Sequence, residues 1–210
     1  MSDDGLVRCG WADAGPGPDT ELYREYHDHE WGRPLRGGVA LFERMSLEAF
    51  QSGLSWLIIL RKRENFRRAF SGFDIQTVAG YTDADVRRLL ADEGIVRNRA
   101  KIEATIANAR AAADLGSPQD LSELLWSFAP PPRPRFADLS EIPSATAESR
   151  AMARELKRRG FRFVGPTTAY ALMQATGMVD DHVRACWVPP TAWWRSKAGS
   201  CAAVDQDREQ

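Results

Sequence analysis

The stretch from Ser144 to Gly177 reads "SATAESRAMARELKRRGFRFVGPTTAYALMQATG". Its apolar residues recur at helical spacing and predict one helix from near Ser144 to Gly160. Pro166 then stands where a first-turn proline is tolerated, and a second helix runs from it to Gly177. Between the two lies "GFRFVGPTT", a turn carrying Gly160 and Gly165, with Thr167 in the first turn of the second helix. Two helices joined in this way can be plain packing. They can also hold an anion, because the N–H groups that open a helix lack intrahelical acceptors and the macrodipole favours negative charge there.

Working outward, the rest of the chain is helical too. "VALFERMSLEAFQSGLSWLIILRKRENFRRAF" predicts two helices broken near Gly53, the second from about Trp56 to Phe70. "TDADVRRLLADEG" opens with a Thr82/Asp85 capping pattern and stops at Gly94. "NRAKIEATIANARAAADLG" is rich in alanine and ends at Gly116, and a shorter helix covers Leu121 to Phe128. "APPPRPRF" is a connector that cannot be helical. Alternating β-branched runs are almost absent and no repeat is visible, so the expected fold is all-α. Residues 1–195 are read as one catalytic unit of two helical lobes, with the hairpin near 160–167. The polar segment 196–210 is read as a mobile tail.

The chain has 210 residues, 43% hydrophobic and 27% charged, with a formal net charge of −1. That composition suits a globular protein and does not by itself announce a polyanion partner. The charge is unevenly spread: "RKRENFRR", "RRLLADEGIVRNRAK" and "RELKRRGFR" bunch basic residues that can form one basic face or solvated helix surfaces. The opening "MSDDGLVRCGW" lacks the apolar run of a signal peptide, and "LSWLIIL" is too short to span a bilayer. Three cysteines exclude a fully paired disulfide framework. The expected setting is therefore cytoplasmic, away from the membrane, and the expected state monomeric.

Two of the three histidines sit in "EYHDHEWG", Glu25 to Gly32. Further on, "DDHVRAC" spaces His182 and Cys186 by four, which on a helix puts both on one face. With Cys9 of "RCGW", two thiolates and two imidazoles would complete a tetrahedral zinc site without an open position, hence a structural one. His27 and His29 compete for the fourth place. On an extended segment they point the same way, on a helix they diverge, and spacing alone does not choose. Cys201 is the spare thiol.

"FVGPTTA" resembles the hairpin of the helix-hairpin-helix DNA glycosylases, which grips a DNA phosphate through its amides. Bifunctional members carry a nucleophilic lysine just after the hairpin. Thr167 stands there, so a lyase is not expected, and three cysteines cannot hold an iron–sulfur cluster. "RCGW", "YREYHDHEWG", "LEAFQSGLSW", "KRENF", "GIVRNRAKI", "LWSF", "SEIP", "LKRRGFRFVGPTT" and "VDDHVRAC" together resemble the DNA-3-methyladenine glycosylase I family, in family order from Cys9 to Cys186. The resemblance implies zinc on Cys9, His27, His182 and Cys186, with His29 where the family often has asparagine.

It also implies a base pocket of Tyr26, Glu48 and Trp56, with Trp11 and Trp31 nearby. Methylation at N3 makes adenine cationic and labile. A buried carboxylate favours that charge, and a tryptophan face adds cation–π attraction. Extrusion of the nucleotide needs a plug, for which Leu54 offers an apolar wedge and Gln51 a polar filler. The hairpin contacts to DNA fall on Gly160, Gly165 and Thr167. The implied function is monofunctional hydrolysis of the N-glycosidic bond of 3-methyladenine in double-stranded alkylated DNA, leaving an abasic site. A zinc-stabilised protein that binds alkylation damage without cutting is the alternative. Asp180 sits near where related glycosylases keep an aspartate, and is expected to be dispensable. Ala49 and Phe50 in "LEAFQSG" depart from the family's usual pattern and bear on lesion range.

Overall fold

The structure, a computed structural model, describes residues 4–13 and 18–190. The expected tail, residues 196–210, and Cys201 lie outside the described residues. Among these residues there is no strand, and nine α-helices carry the chain: α1 Pro18–His29, α2 Gly38–Gln51, α3 Trp56–Ala69, α4 Ile75–Ala79, α5 Asp83–Ala91, α6 Arg99–Ala113, α7 Pro118–Trp126, α8 Ala147–Arg158 and α9 Pro166–Ala175. No helix among them is long and apolar enough to cross a membrane.

Side-chain caps explain most helix starts. Thr82 and Asp85 form the reciprocal capping box expected for α5. Asn98 accepts from the Lys101 N–H at 3.2 Å to start α6, and Asp74 accepts from the Thr77 N–H at 2.8 Å to start the short α4, which the sequence reading lacks. Two starts differ from expectation. α7 begins at Pro118 rather than Leu121, because Ser117 and Asp120 make a second capping box around a first-turn proline. α8 begins after Thr146 rather than near Ser144, since Thr146 and Ser149 exchange the capping bonds.

Contacts divide the chain into two units. The larger comprises Leu35–Phe128 and Ala145–Leu172. Its centre is aromatic: Phe50 meets Phe66 at 4.7 Å between ring centroids, Phe70 stacks on Phe73 at 5.4 Å, and Phe42 meets Phe73 edge-on at 6.2 Å. All five rings are fully buried. Burying each is worth roughly 1.5–3 kcal/mol, and each ring pair adds about 0.5–1.5 kcal/mol. The smaller unit takes in the described residues up to Pro34, Ala129–Ser144 and those from Met173 onward. It has little regular structure beyond α1 and the last turn of α9, and His27, Asp28, Asp180, Asp181 and His182 are buried in it beside Cys9 and Cys186.

Candidate functional site

In the smaller unit, Cys9 lies just before a 3-10 turn, His27 on α1, and His182 and Cys186 on the segment after α9. All four are buried, and their ligand atoms lie within 4.8 Å of one another. Cys9 Sγ is 3.6 Å from His182 Nδ1, and Cys186 Sγ is 3.5 Å from both His182 Nδ1 and His27 Nε2. Zinc–sulfur bonds of about 2.3 Å and zinc–nitrogen bonds of about 2.0–2.1 Å at the tetrahedral angle put sulfur and nitrogen about 3.6 Å apart. The donor set therefore fits one small tetrahedral cation.

The expectation that His182 and Cys186 share a helix face is corrected. The helix has ended before Gly177, and a turn with the Cys186 N–H on the Val183 carbonyl brings the two together. On α1 the two histidines of this stretch diverge. His27 is fully buried, whereas His29, two helical positions on, is 61% exposed and faces Glu25 at 3.7 Å.

Neighbouring groups fix both imidazoles. His27 Nδ1 pairs with Asp28 Oδ1 at 2.7 Å, which leaves Nε2 aimed at the thiols. His182 Nε2 faces the Trp31 carbonyl at 3.2 Å, which leaves Nδ1 for the same purpose. Burial pushes the Asp28 carboxyl up, but hydrogen bonds from Arg8, His27 and Trp187 outweigh it and hold the group below its ordinary value. The Val183 N–H donates to Cys9 Sγ at 3.4 Å. Hydrogen bonding between the two thiols drives Cys186 down and, with burial, Cys9 up, so the pair holds one negative charge by itself. A second thiolate needs a cation. Gly32, at φ 72°, passes so close that a Cβ there would sit 2.9 Å from His182 Nε2.

Aromatic rings close around this cluster. Trp11 lies 5.2 Å from His27, 5.1 Å from Trp31 and 6.2 Å from Tyr26, and Trp31 packs edge-on to His182 at 4.7 Å. Trp11 and Trp31 thus pack against the imidazoles, and Tyr26 is buried beside them. Tyr23 also meets Trp11 at 5.9 Å, and its i,i+3 spacing from Tyr26 on α1 is the signal that would have found it. Asp180, the residue expected to be dispensable, is held by Arg135 at 2.9 Å, and Asp181 is held by Arg133 and Gln174. The proline-rich connector therefore ties two carboxylates that immediately precede His182.

The remaining candidates lie in the larger unit. Glu48 is on α2 and buried, not on a solvated helix face. Met45, Leu156, Val164, Ala169 and Leu172, with Thr168, leave a cavity of about 10 Å³ next to it, the room of about one water. Burial raises its pKa to about 7, and only Arg44, one turn earlier, opposes the shift. The Arg44 guanidinium also stands 5.6 Å over the ring of Trp56, the first residue of α3.

Between α2 and α3 the chain turns through Ser52–Ser55. Gln51 Nε2 donates to the Leu54 carbonyl at 3.1 Å, so Gln51 braces the turn, and Leu54 is half-buried at its corner. Buried Lys101 donates to the carbonyls of Phe50 at 2.9 Å and Ser52 at 2.6 Å. A cation there satisfies carbonyls that the end of α2 leaves open. Nothing in the spacing of "NRAKI" points to this cap.

The α8–α9 turn is closed at one end by a left-handed glycine. Gly160 has φ 91°, its N–H bonds the Lys157 carbonyl, and the Phe161 N–H reaches back to Leu156 at 3.0 Å. Gly165 starts α9 by accepting from the Ala169 N–H at 2.8 Å. Thr167 is exposed in the first helical turn, where N–H groups have no intrahelical acceptor. Gly160, Gly165 and Thr167 are thus brought together on one turn.

A family model described as methyladenine glycosylase matches residues 17–189. The chain is 46% identical over 190 residues to DNA-3-methyladenine glycosylase 1 of Escherichia coli (strain K12), covering 88% of this chain and 98% of that protein. It is similar to a crystal structure of 3-methyladenine DNA glycosylase I with a TM-score of 0.81 and 43% identity, over 88% of this chain and all of the other. A structure of the Staphylococcus aureus 3-methyladenine DNA glycosylase I, determined for the basis of 3-methyladenine recognition, is 34% identical with a TM-score of 0.77, covering 86% and 96%. Similarity that spans His27, His182 and Cys186 of the buried cluster, α2 with its carboxylate and the α8–α9 turn alike leaves one conclusion: the chain belongs to the methyladenine glycosylase family.

Proposed function

We propose that this protein is a monofunctional DNA-3-methyladenine glycosylase of base-excision repair. It extrudes the alkylated nucleotide from duplex DNA and hydrolyses the N-glycosidic bond, leaving an abasic site. One observation carries the reading beyond family membership: Glu48 is a carboxyl buried in apolar surroundings and poised at about pKa 7. An uncompensated buried carboxylate is costly, so the resting group holds its proton about half the time at neutral pH. A purine made cationic by methylation supplies the missing positive charge and favours the ionised form. Neutral adenine supplies none. Discrimination thus comes from charge, and the leaving group is already activated by its own methylation.

Trp56, in the same unit as Glu48, offers the stacking face. Tyr26, Trp11 and Trp31 belong to the smaller unit, where Trp11 and Trp31 support the imidazoles. Leu54 is the wedge that fills the vacated stack, with Gln51 holding its backbone. The α8–α9 turn acts as the helix-hairpin-helix element: Gly160 shapes it, and the amides at Gly165 and Thr167 grip a DNA phosphate. The position just after the hairpin, where a Schiff-base lysine would stand, holds Thr167, in keeping with simple hydrolysis.

Cys9, His27, His182 and Cys186 hold one zinc ion, as the sulfur–nitrogen spacings support. Bound there, the ion clips the segments before and after the larger unit's sequence and takes no part in hydrolysis. Incubating the purified protein with methylated duplex DNA and chromatographing the released bases tests the function. Release of 3-methyladenine with adenine untouched is expected. Retention of damaged DNA with no base released would give the non-cutting alternative instead.

A further inference from the structure

We propose that Asn108 is a positioning residue for DNA engagement, its side-chain amide clamping the α8–α9 turn in the shape that presents the start of α9 to a phosphate. The proposal rests on reading that turn as the phosphate grip. Asn108 lies within α6 and is 1% exposed. Its Oδ1 accepts from the Arg162 N–H at 2.7 Å, and its Nδ2 donates to the Arg162 carbonyl at 3.1 Å. A single amide therefore satisfies both main-chain groups of one turn residue, as a paired strand would.

The next residue shows why a clamp is needed. Phe163 has φ 55°, a left-handed conformation that a bulky aromatic residue avoids, and it is 40% exposed, so little packing holds it there. The turn keeps that conformation because its flanks are fixed, by Asn108 on Arg162 and by burial of Val164. A grip made of amides works only if they converge before the phosphate arrives, since ordering the turn on binding would subtract from affinity.

Asn108→Ala is the first variant, assayed as the full chain. Its readouts are anisotropy with a duplex bearing a tetrahydrofuran abasic analogue, and tryptophan fluorescence with free 3-methyladenine base. Duplex affinity is expected to fall about tenfold while free-base affinity stays within about twofold. An equal loss of both, or no loss of duplex affinity, overturns the clamp.

Where Asn108→Ala fails to fold, Asn108→Asp carries the test. A protonated carboxyl can donate to the Arg162 carbonyl as the amide does, so its deficit relative to the parent should shrink as pH is lowered. A deficit independent of pH overturns the clamp as well. Thr167→Glu probes the underlying reading by adding negative charge at the grip. If it leaves duplex affinity unchanged, the phosphate grip falls and the clamp with it. If it weakens binding while Asn108→Ala does not, the grip stands and the clamp alone is wrong.

Discussion

The two units of this protein are ordered by different physics. Around Phe42, Phe50, Phe66, Phe70 and Phe73, order comes from apolar rings removed from water, and helices with side-chain caps supply the scaffold. Around Cys9, His27, His182 and Cys186, polar groups are buried among aromatic rings, much of the backbone is turns, and each polar group depends on a particular partner. Asp28 illustrates the second regime: Arg8, His27 and Trp187 all donate to it. An apolar core tolerates imperfect partners and loses stability in proportion to volume. A polar cluster fails when one member is missing, because the rest are left buried and unsatisfied.

Four substitutions test that contrast, in descending order of effect, with His29→Ala as their control. Cys9→Ser should lower stability by more than about 5 kcal/mol through loss of the proposed zinc ion, with faster hydrogen exchange in residues 18–34 and 173–190 first. Calorimetry and mass-detected exchange check it. Loosening spread evenly over both units would erase the distinction. Phe50→Ala should cost about 3–5 kcal/mol by cavity formation and act within the larger unit, leaving the zinc content of the purified protein unchanged.

Glu48→Gln sharpens the comparison, since Glu48 is a carboxyl buried inside the larger unit. Its folded pKa of about 7 lies above the reference value of 4.5, so the neutral form is favoured by folding. The associated stability is present below about pH 4.5 and is lost as pH rises through about 7, by roughly 3 kcal/mol in all. The variant cannot titrate. Urea unfolding of both proteins between about pH 4 and pH 8 should therefore show the parent losing ground to the variant by that amount. A constant difference across the range would refute the buried-carboxyl account. Asp28→Asn has the smallest expected effect, a tenfold to hundredfold loss of zinc affinity by chelator competition at about unchanged fold, as befits a residue acting through His27. His29→Ala should change neither quantity.

What the amino-acid sequence discloses follows the same division. Helices of the apolar unit are legible because caps and periodicity are local: Thr82 with Asp85, Gly116 after α6. The missed starts at Ser117 and Thr146 are local too, but there capping signals adjoin proline or other Ser and Thr residues that blur them. The cluster is harder. His182 and Cys186 have the spacing of a helical pair, yet a turn delivers the same proximity, and His27 could be told from His29 only once α1 was known to be a helix. Residue resemblance supplied the ligand set that spacing left open. Asn108, Lys101 and Asp28 escaped altogether. The first two bond main-chain groups about fifty positions away, and hydrophobic period carries no trace of such contacts.

The distance along the chain between Cys9 and His182, 173 positions, has a consequence for biogenesis. A ribosome adding about 5–20 residues per second needs about 9–35 s to travel from one to the other. The Phe42–Phe73 segment has emerged long before that interval ends. Throughout it the earlier thiol and imidazole await their counterparts, so capture of the proposed cation must wait until His182 and Cys186 have been made.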